Sequence, residues 1–316
     1  MRQGSSFLIT GGAGFIGRWT VGELLDLGHE VLVLDNLSNG SVVNIEEFKG
    51  RKGFRGLIEG DIQDRSVVEN AFASSIDCCI HLAAQINVQD SIDDPGKTFD
   101  SDVVGTFNLL ECARQQGTRF VFVSTCMVFG MAIDGRAIDE NYPVIPTSPY
   151  AAAKLAGEFM SISYYHGYGL PSTVLRPFNT YGPFQKSSGE GGVISVFVGN
   201  KLKGKPLMIY GDGTQTRDFL FVEDCARFIV TASLEDRILG RIINAGSGRD
   251  ISINGLAEMI SDGNVPIQHV PHIHPQSELM VLRCDNSLSR ELLGWSPRIE
   301  LTEGIEQTRR WLAGNA

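Results

Sequence analysis

The chain alternates short, almost wholly apolar runs with longer stretches whose apolar residues recur at helical spacing. Residues 6–10 (Ser-Phe-Leu-Ile-Thr) predict a buried strand, and the stretch from Phe15 onward predicts a helix. The next apolar run, 30–34, predicts a second strand that ends at Asp35. Further strands are expected at 55–59, 76–82, 119–124 and 171–176, and helices at 64–72, 97–116 and 149–167. This alternation predicts an α/β protein with a doubly wound parallel sheet covered on both faces. After Pro183 the pattern changes to a glycine-rich loop at 189–192, a short helix at 193–202 and brief, irregular elements. Residues 219–221, 222–233 and 241–245 are expected to return to the sheet as strand, helix and strand. The expected division is therefore a Rossmann-type domain over 1–182, rejoined by 218–247, with 183–316 mainly a smaller C-terminal α/β substrate lobe.

Composition narrows the class. The net charge is −10 and no basic patch is concentrated anywhere, which argues against nucleic acid as a partner. No apolar run is long enough to span a bilayer and no cleavable leader precedes the first strand, so no membrane association and a cytoplasmic location are expected. The six cysteines (78, 79, 112, 126, 225 and 284) show no CxxC spacing and read as reduced core residues.

Candidate chemistry lies at two places. Gly11, Gly14 and Gly17 fall on the turn between the first strand and its helix, where backbone N–H groups and the helix N-terminus can receive a pyrophosphate. Asp35, roughly 20 residues further on, stands where a ribose-binding carboxylate belongs. No Arg or Lys follows it in 36–40, which favours NAD over NADP. The second place is Tyr150 with Lys154, four residues apart and therefore on one helical face. A free phenol titrates near about 10. A neighbouring ammonium and a cationic nicotinamide ring are expected to pull that value toward neutrality. Two surface residues would give the same spacing, but strand 120–123 ends in Ser124 and Thr125, at the edge where open α/β sheets bind ligands. The run His269, His272, His274 lacks a thiolate or carboxylate set, so no metal site is expected.

The segments Thr10–Gly17, Asp35–Ser38, Gly60–Ile62, His81–Gln85, Ser124-Thr125, Pro149–Lys154, Leu175–Asn179, Tyr181–Pro183 and Tyr210–Asp218 carry a resemblance over nearly the whole chain. In their order it resembles the extended short-chain dehydrogenase/reductases acting on nucleotide sugars, typified by UDP-galactose 4-epimerase. The resemblance implies NAD bound by Gly11, Gly14, Phe15, Ile16, Gly17, Asp35, Asn36 and Ser38. It places Asp61 and Ile62 at the adenine, and Leu82, Ala83 and Ala84 beneath the pyrophosphate and nicotinamide ribose. Tyr150 and Lys154 belong to the cofactor site as well. Thr125, Tyr150 and Lys154 are the implied catalytic set. Gln85, Thr125, Cys126, Asn179, Val193, Met208, Tyr210 and Arg217 are the implied contacts of a nucleotide-sugar substrate, with Asn179 and Arg217 on its diphosphate. Homodimerisation through the helices at 97–116 and 149–167 is also implied.

The departures from the family pattern are informative. Dehydratases carry Asp-Glu directly after the catalytic Thr, and decarboxylases a Glu at the second position; here Cys126 and Met127 stand there. Met cannot take a proton, so the expectation is 4-epimerisation of a UDP-hexose, N-acetylhexosamine or hexuronate through a transient 4-keto sugar. A dehydratase or oxidoreductase that recruits Cys126 is the first rival; a non-catalytic NAD-binding regulator is the second. Asp102 replaces the family's Asn in the helix beside the cofactor. Pro275 replaces a phosphate-binding Arg, for which His272 or His274 could substitute. Leu282 stands where a bulky Tyr restricts some epimerases to unacetylated hexoses.

Overall fold

Along the central strands, neighbouring side chains enter two different cores. Phe7 and Ile9 pack on one side with Val31, Val33, Cys78, Ile80, Val121 and Val123. Leu8 packs on the other with Leu32, Leu34, Cys79, Phe120 and Phe122. Strands that are apolar on both faces need cover on both, which only flanking helices supply. The computed structural model describes residues 4–130, 135–187, 192–272 and 279–314 and has that layered form. Residues 189–191 of the expected glycine loop, together with His274 and Pro275, lie outside the described residues.

The strands are β1 Ser6–Thr10, β2 Glu30–Asp35, β3 Phe54–Glu59, β4 Cys78–His81, β5 Arg119–Val123, β6 Ser172–Pro177 and β7 Asn179–Tyr181. They continue as β8 Leu207–Tyr210, β9 Thr216–Phe221, β10 Ile242–Ala245, β11 Asp250–Ser252, β12 Ile267–Val270 and β13 Val281–Leu282. The helices are α1 Phe15–Asp26, α2 Arg65–Phe72, α3 Val88–Asp93, α4 Pro95–Phe99, α5 Gly105–Gln116 and α6 Pro149–Tyr168. In the second half come α7 Val193–Leu202, α8 Val222–Leu234, α9 Ile253–Ser261, α10 Ser287–Leu293 and α11 Leu301–Gly314.

The central sheet has seven strands in the order β10-β6-β5-β4-β1-β2-β3. All its pairings are parallel, as a Rossmann-type sheet requires. Order reverses beside β1, so the carboxyl ends of β1 and β4 form the crevice in which such sheets bind ligands. Helices α1 and α8 cover one face, with Trp295 beyond α10 joining them; α2, α5 and α6 cover the other. All six cysteines are buried and unpaired.

Two sequence expectations are corrected. The strand at 219–221 does not join the central sheet. As β9 it pairs with β7, β11 and β13 in a separate four-stranded sheet. Its inward residues Phe219 and Phe221 belong to a third core with Ile194, Phe197, Leu207, Ile209 and Leu256, which stabilises the smaller lobe. Asp218 ties that lobe back to the central sheet. Its buried carboxylate accepts from the Ser247, Gly248 and Cys284 N–H groups at 2.7, 2.8 and 3.0 Å. The helix expected at 97–116 is also not uniform: a π-helical turn, Asp100–Val104, separates α4 from α5. Such turns recur at functional sites.

Helix α6 is fixed to the sheet by charge. Glu158 and Arg176 are both fully buried and form a bidentate pair, with Arg176 Nε at 2.9 Å from Glu158 Oε1. Glu158 also accepts from the Ser124 hydroxyl, and the guanidinium lies 4.7 Å over the Phe129 ring. A buried pair is costly to desolvate, but breaking it leaves one bare charge, which costs about 3–5 kcal/mol. Glu158→Gln should therefore destabilise by that amount, read as a fall in the urea unfolding midpoint. The Glu158→Leu/Arg176→Met double variant should recover most of the loss.

Candidate active site

The glycine turn is built by close approach. Gly11 has φ +70, and a Cβ there would stand 2.7 Å from the Ala83 nitrogen. At Gly17 a Cβ would run into the Gly11 carbonyl oxygen. Gly14 is the N-cap of α1 and supplies no side-chain cap, so the first-turn N–H groups face outward with partial positive charge. This cradle fits a pyrophosphate. Asp35 ends β2, and its carboxylate accepts from the Ala13 and Leu37 N–H groups, both at 2.9 Å, so it is held facing the turn. Beside it, Asn36 Nδ2 donates to Asp61 at 2.8 Å and Asn36 Oδ1 accepts from the Ser38 N–H at 3.0 Å. Ile62 is buried next to Asp61, and its carbonyl accepts from Asn108 at 3.0 Å. The expected dinucleotide residues thus lie together, with half-buried Leu82, Ala83 and Ala84 following β4.

A buried chain of hydrogen bonds joins β1, β4 and the π turn. The Ala83 N–H donates to Thr10 Oγ1 at 3.3 Å, and Thr10 Oγ1 lies 2.7 Å from His81 Nδ1. His81 Nε2 lies 2.9 Å from Thr106 Oγ1, and the Thr106 hydroxyl donates to the Asp102 carbonyl. Burial holds the His81 imidazole well below its ordinary value, so it is neutral. Because Thr106 already spends its proton on Asp102, His81 must donate from Nε2 and accept at Nδ1. Sequence reasoning gives none of these side chains a role; the His-Leu-Ala-Ala segment is the available signal.

Helix α6 starts at a fixed point. Ser148 caps it, accepting from the Ala151 N–H at 3.2 Å, and Pro149 occupies its first turn. Tyr150 then lies beside the end of β5, where it lines the same cavity as Thr125. Lys154, one turn on, is buried and donates to the Val123 carbonyl at 2.7 Å, with Nζ 4.5 Å from the Phe122 ring centre. Burial lowers the Lys154 ammonium while Asp102 and then Glu158 raise it. For Tyr150 the surrounding protein acts against ionisation. Burial pushes the phenol above its ordinary value, and the Asp102 carboxylate pushes it further.

Thr125, Cys126 and Tyr150 open on a cavity of about 560 Å³ that meets the glycine turn at Phe15 and Ile16. Its far wall carries Asn179, Val193, Met208, Tyr210 and Arg217, all of them expected substrate contacts, and His272. Arg217 Nη1 donates to the Leu279 carbonyl at 2.6 Å, which orients the guanidinium. The His272 ring meets Tyr210 edge-on at 6.3 Å. Gln85 is not among the lining residues; its amide donates to Asp90 at 3.1 Å. Leu282 is fully buried behind Cys126 and Phe178 rather than at the cavity surface. The Cys126 thiol is pushed up to about 12 by burial, so it is protonated at neutral pH. Among the described residues no cluster of three His, Cys, Asp or Glu side chains is arranged to hold a metal, and no helix is long and apolar enough to cross a membrane.

Comparison with known proteins agrees with this geometry. A family model described as GDP-mannose 4,6 dehydratase matches residues 8–308. Pal from Bacillus thuringiensis superimposes with a TM-score of 0.97 at 52% identity, covering 98% of this chain and 100% of that one. The UDP-glucose 4-epimerase of Thermus thermophilus, solved with NAD, gives a TM-score of 0.90 at 35% identity over 98% and 100%. The UDP-glucose 4-epimerase of Mycolicibacterium smegmatis is 38% identical over 95% of this chain and 96% of its own. With the glycine cradle, the Tyr150–Lys154 helix and the matched length together, the chain belongs to the family of nucleotide-sugar epimerases and dehydratases.

Proposed function

We propose that the protein is a cytoplasmic, NAD-dependent nucleotide-sugar 4-epimerase. The observation that carries this reading is Tyr150, Thr125 and Lys154 grouped at the end of β5, with no acid–base pair at 126–127. The cradle of Gly11, Gly14 and Gly17 with Asp35 would hold the dinucleotide. When bound, NAD supplies a reversible hydride acceptor.

The side chains divide the remaining work. Tyr150 takes the proton of the sugar 4-hydroxyl and returns it after inversion. Thr125 hydrogen-bonds the same oxygen and keeps it within reach of the phenol. Lys154 supplies the fixed positive charge beneath them. Arg217 and Asn179 hold the diphosphate, and Met208 and Tyr210 offer apolar surface to the nucleobase. Held at its far end, the 4-keto sugar can turn over in the cavity and present its other face. A UDP-hexose, N-acetylhexosamine or hexuronate satisfies this arrangement.

Cys126 supports one alternative. Its protonated thiol lines the cavity directly after Thr125, where a dehydratase needs an acid. Incubation with UDP-, dTDP-, GDP- and CDP-sugars should give a product of unchanged mass with C4 inverted. Tyr150→Phe should lower kcat by at least ~10²-fold, as for loss of a general base. That loss also excludes a non-catalytic regulator. Cys126→Ala should keep turnover within several-fold; a collapse there, with loss of water from substrate, would establish the dehydratase.

A homodimer completes the proposal. Phe99, Phe107 and Phe159, on α4, α5 and α6, are 56%, 42% and 58% exposed. Apolar surface grouped in this way favours burial against a second copy. Phe159→Glu should convert the dimer to a monomer in light scattering coupled to gel filtration; an unchanged mass would place the interface elsewhere.

A further inference from the structure

Asp102 is a buried acid with half its hydrogen-bonding capacity unused. It sits in the π turn and is 2% exposed. Oδ1 accepts from the Gln85 N–H and from the Ser101 hydroxyl, each at 2.7 Å. Oδ2 is buried and has no hydrogen-bond partner among the described residues. A carboxylate left in that state is costly unless a cation compensates it. The turn packs against α6, whose buried cation is Lys154. The other acid near Lys154 is Glu158, already held on both oxygens by Arg176. Asp102 is therefore the acid beside α6 whose second oxygen is not committed to a partner among the described residues. An Asn could satisfy the Gln85 N–H equally well but would bring no charge.

We propose that Asp102 is a positioning residue for the Tyr150–Lys154 pair: one oxygen anchors the loop that begins at Leu82, and the other presents negative charge to α6. The inference rests on Tyr150 and Lys154 being the proton-handling pair, and not on the identity of the substrate. The groups around it agree with the assignment. Burial raises the Asp102 carboxyl above its ordinary value and Lys154 on α6 counters this, while the Tyr150 phenol, also on α6, is raised by burial and then by Asp102. From β4 comes His81, neutral through burial. Lys97 on α4 and Asp100 on the turn itself are exposed, α5 contributes the Thr106 hydroxyl, and the 85 loop contributes an amide. Asp102 thus opposes the lowering of the Lys154 ammonium by burial and adds to the raising of the Tyr150 phenol.

Asp102→Asn tests this directly, since it restores an acceptor for Gln85 and removes only the charge. The readout is the ultraviolet phenolate titration of the NAD-loaded protein, taken as the difference from Tyr150→Phe in the same background. The midpoint for Tyr150 should fall by about one pH unit, the low end of the effect of a close buried charge. The acid limb of kcat/KM should move with it and KM should hold. Asp102→Ala, which also frees the loop, should raise KM in addition. A folded Asp102→Asn protein with an unshifted phenolate midpoint overturns the proposal. If that variant does not fold, wild-type protein with 13C-labelled aspartate carboxyls carries the test. One resonance should respond to Tyr150 ionisation and lose that response in Tyr150→Phe; if none does, the proposal is wrong. The titrations need no substrate, so they fail or succeed independently of the assigned reaction.

Discussion

The pairing of Glu158 with Arg176 is the constraint on which the active edge depends. Tyr150, Lys154 and Glu158 are spaced by four residues and form one row along α6. Fixing the last of them to β6, and through the Ser124 hydroxyl to β5, fixes the other two against Val123 and Thr125. The desolvation penalty of two buried ions is several kcal/mol each, so a good pair in the wrong register would not be tolerated. A one-residue slip of α6 would leave both charges bare.

Opposite this row, position is set by sterics rather than charge. Gly11 brings the first turn so near Ala83 that no side chain fits between them, and Ala83 is bonded back to Thr10. Close-packed backbone thus stands on one side, and buried charge on the other: Lys154, Glu158 and Arg176, with Asp102 on the turn that packs against α6. Neutral His81, with its tautomer dictated by Thr10 and Thr106, spans between the two sides. The wide turn at Asp100–Val104 is where the two systems meet.

Much of this is legible in the residues. Apolar runs and glycine spacing identify β1, β2 and the dinucleotide turn, because those features obey local rules. The Tyr150–Lys154 spacing is equally visible, since i to i+4 geometry is a property of any helix. The role of Glu158 escapes a reading of the sequence although it continues the same row, because its partner lies on a separate strand. Strand β9 is misassigned for a related reason: an apolar run records burial, and Phe219 and Phe221 are buried in a different core. The groups that raise the Tyr150 phenol, burial and then Asp102, come from tertiary packing, while the ammonium alone is evident from sequence. Gln85 is expected to face the substrate, but a neighbouring acid at Asp90 competes for its amide.

The family to which the chain belongs contains enzymes that share oxidation at C4 and differ in the fate of the 4-keto sugar. In the proposed reading Cys126 and Met127 favour epimerisation, since one is a buried thiol and the other cannot carry a proton. The account therefore requires that hydrogen removed from C4 return to C4. A nucleotide sugar carrying deuterium at C4 tests this most directly, with product analysed by NMR. Deuterium retained at C4, now in the inverted configuration, is the predicted result. Deuterium found at C6 of a dehydrated product would contradict the account and assign the chemistry to Cys126.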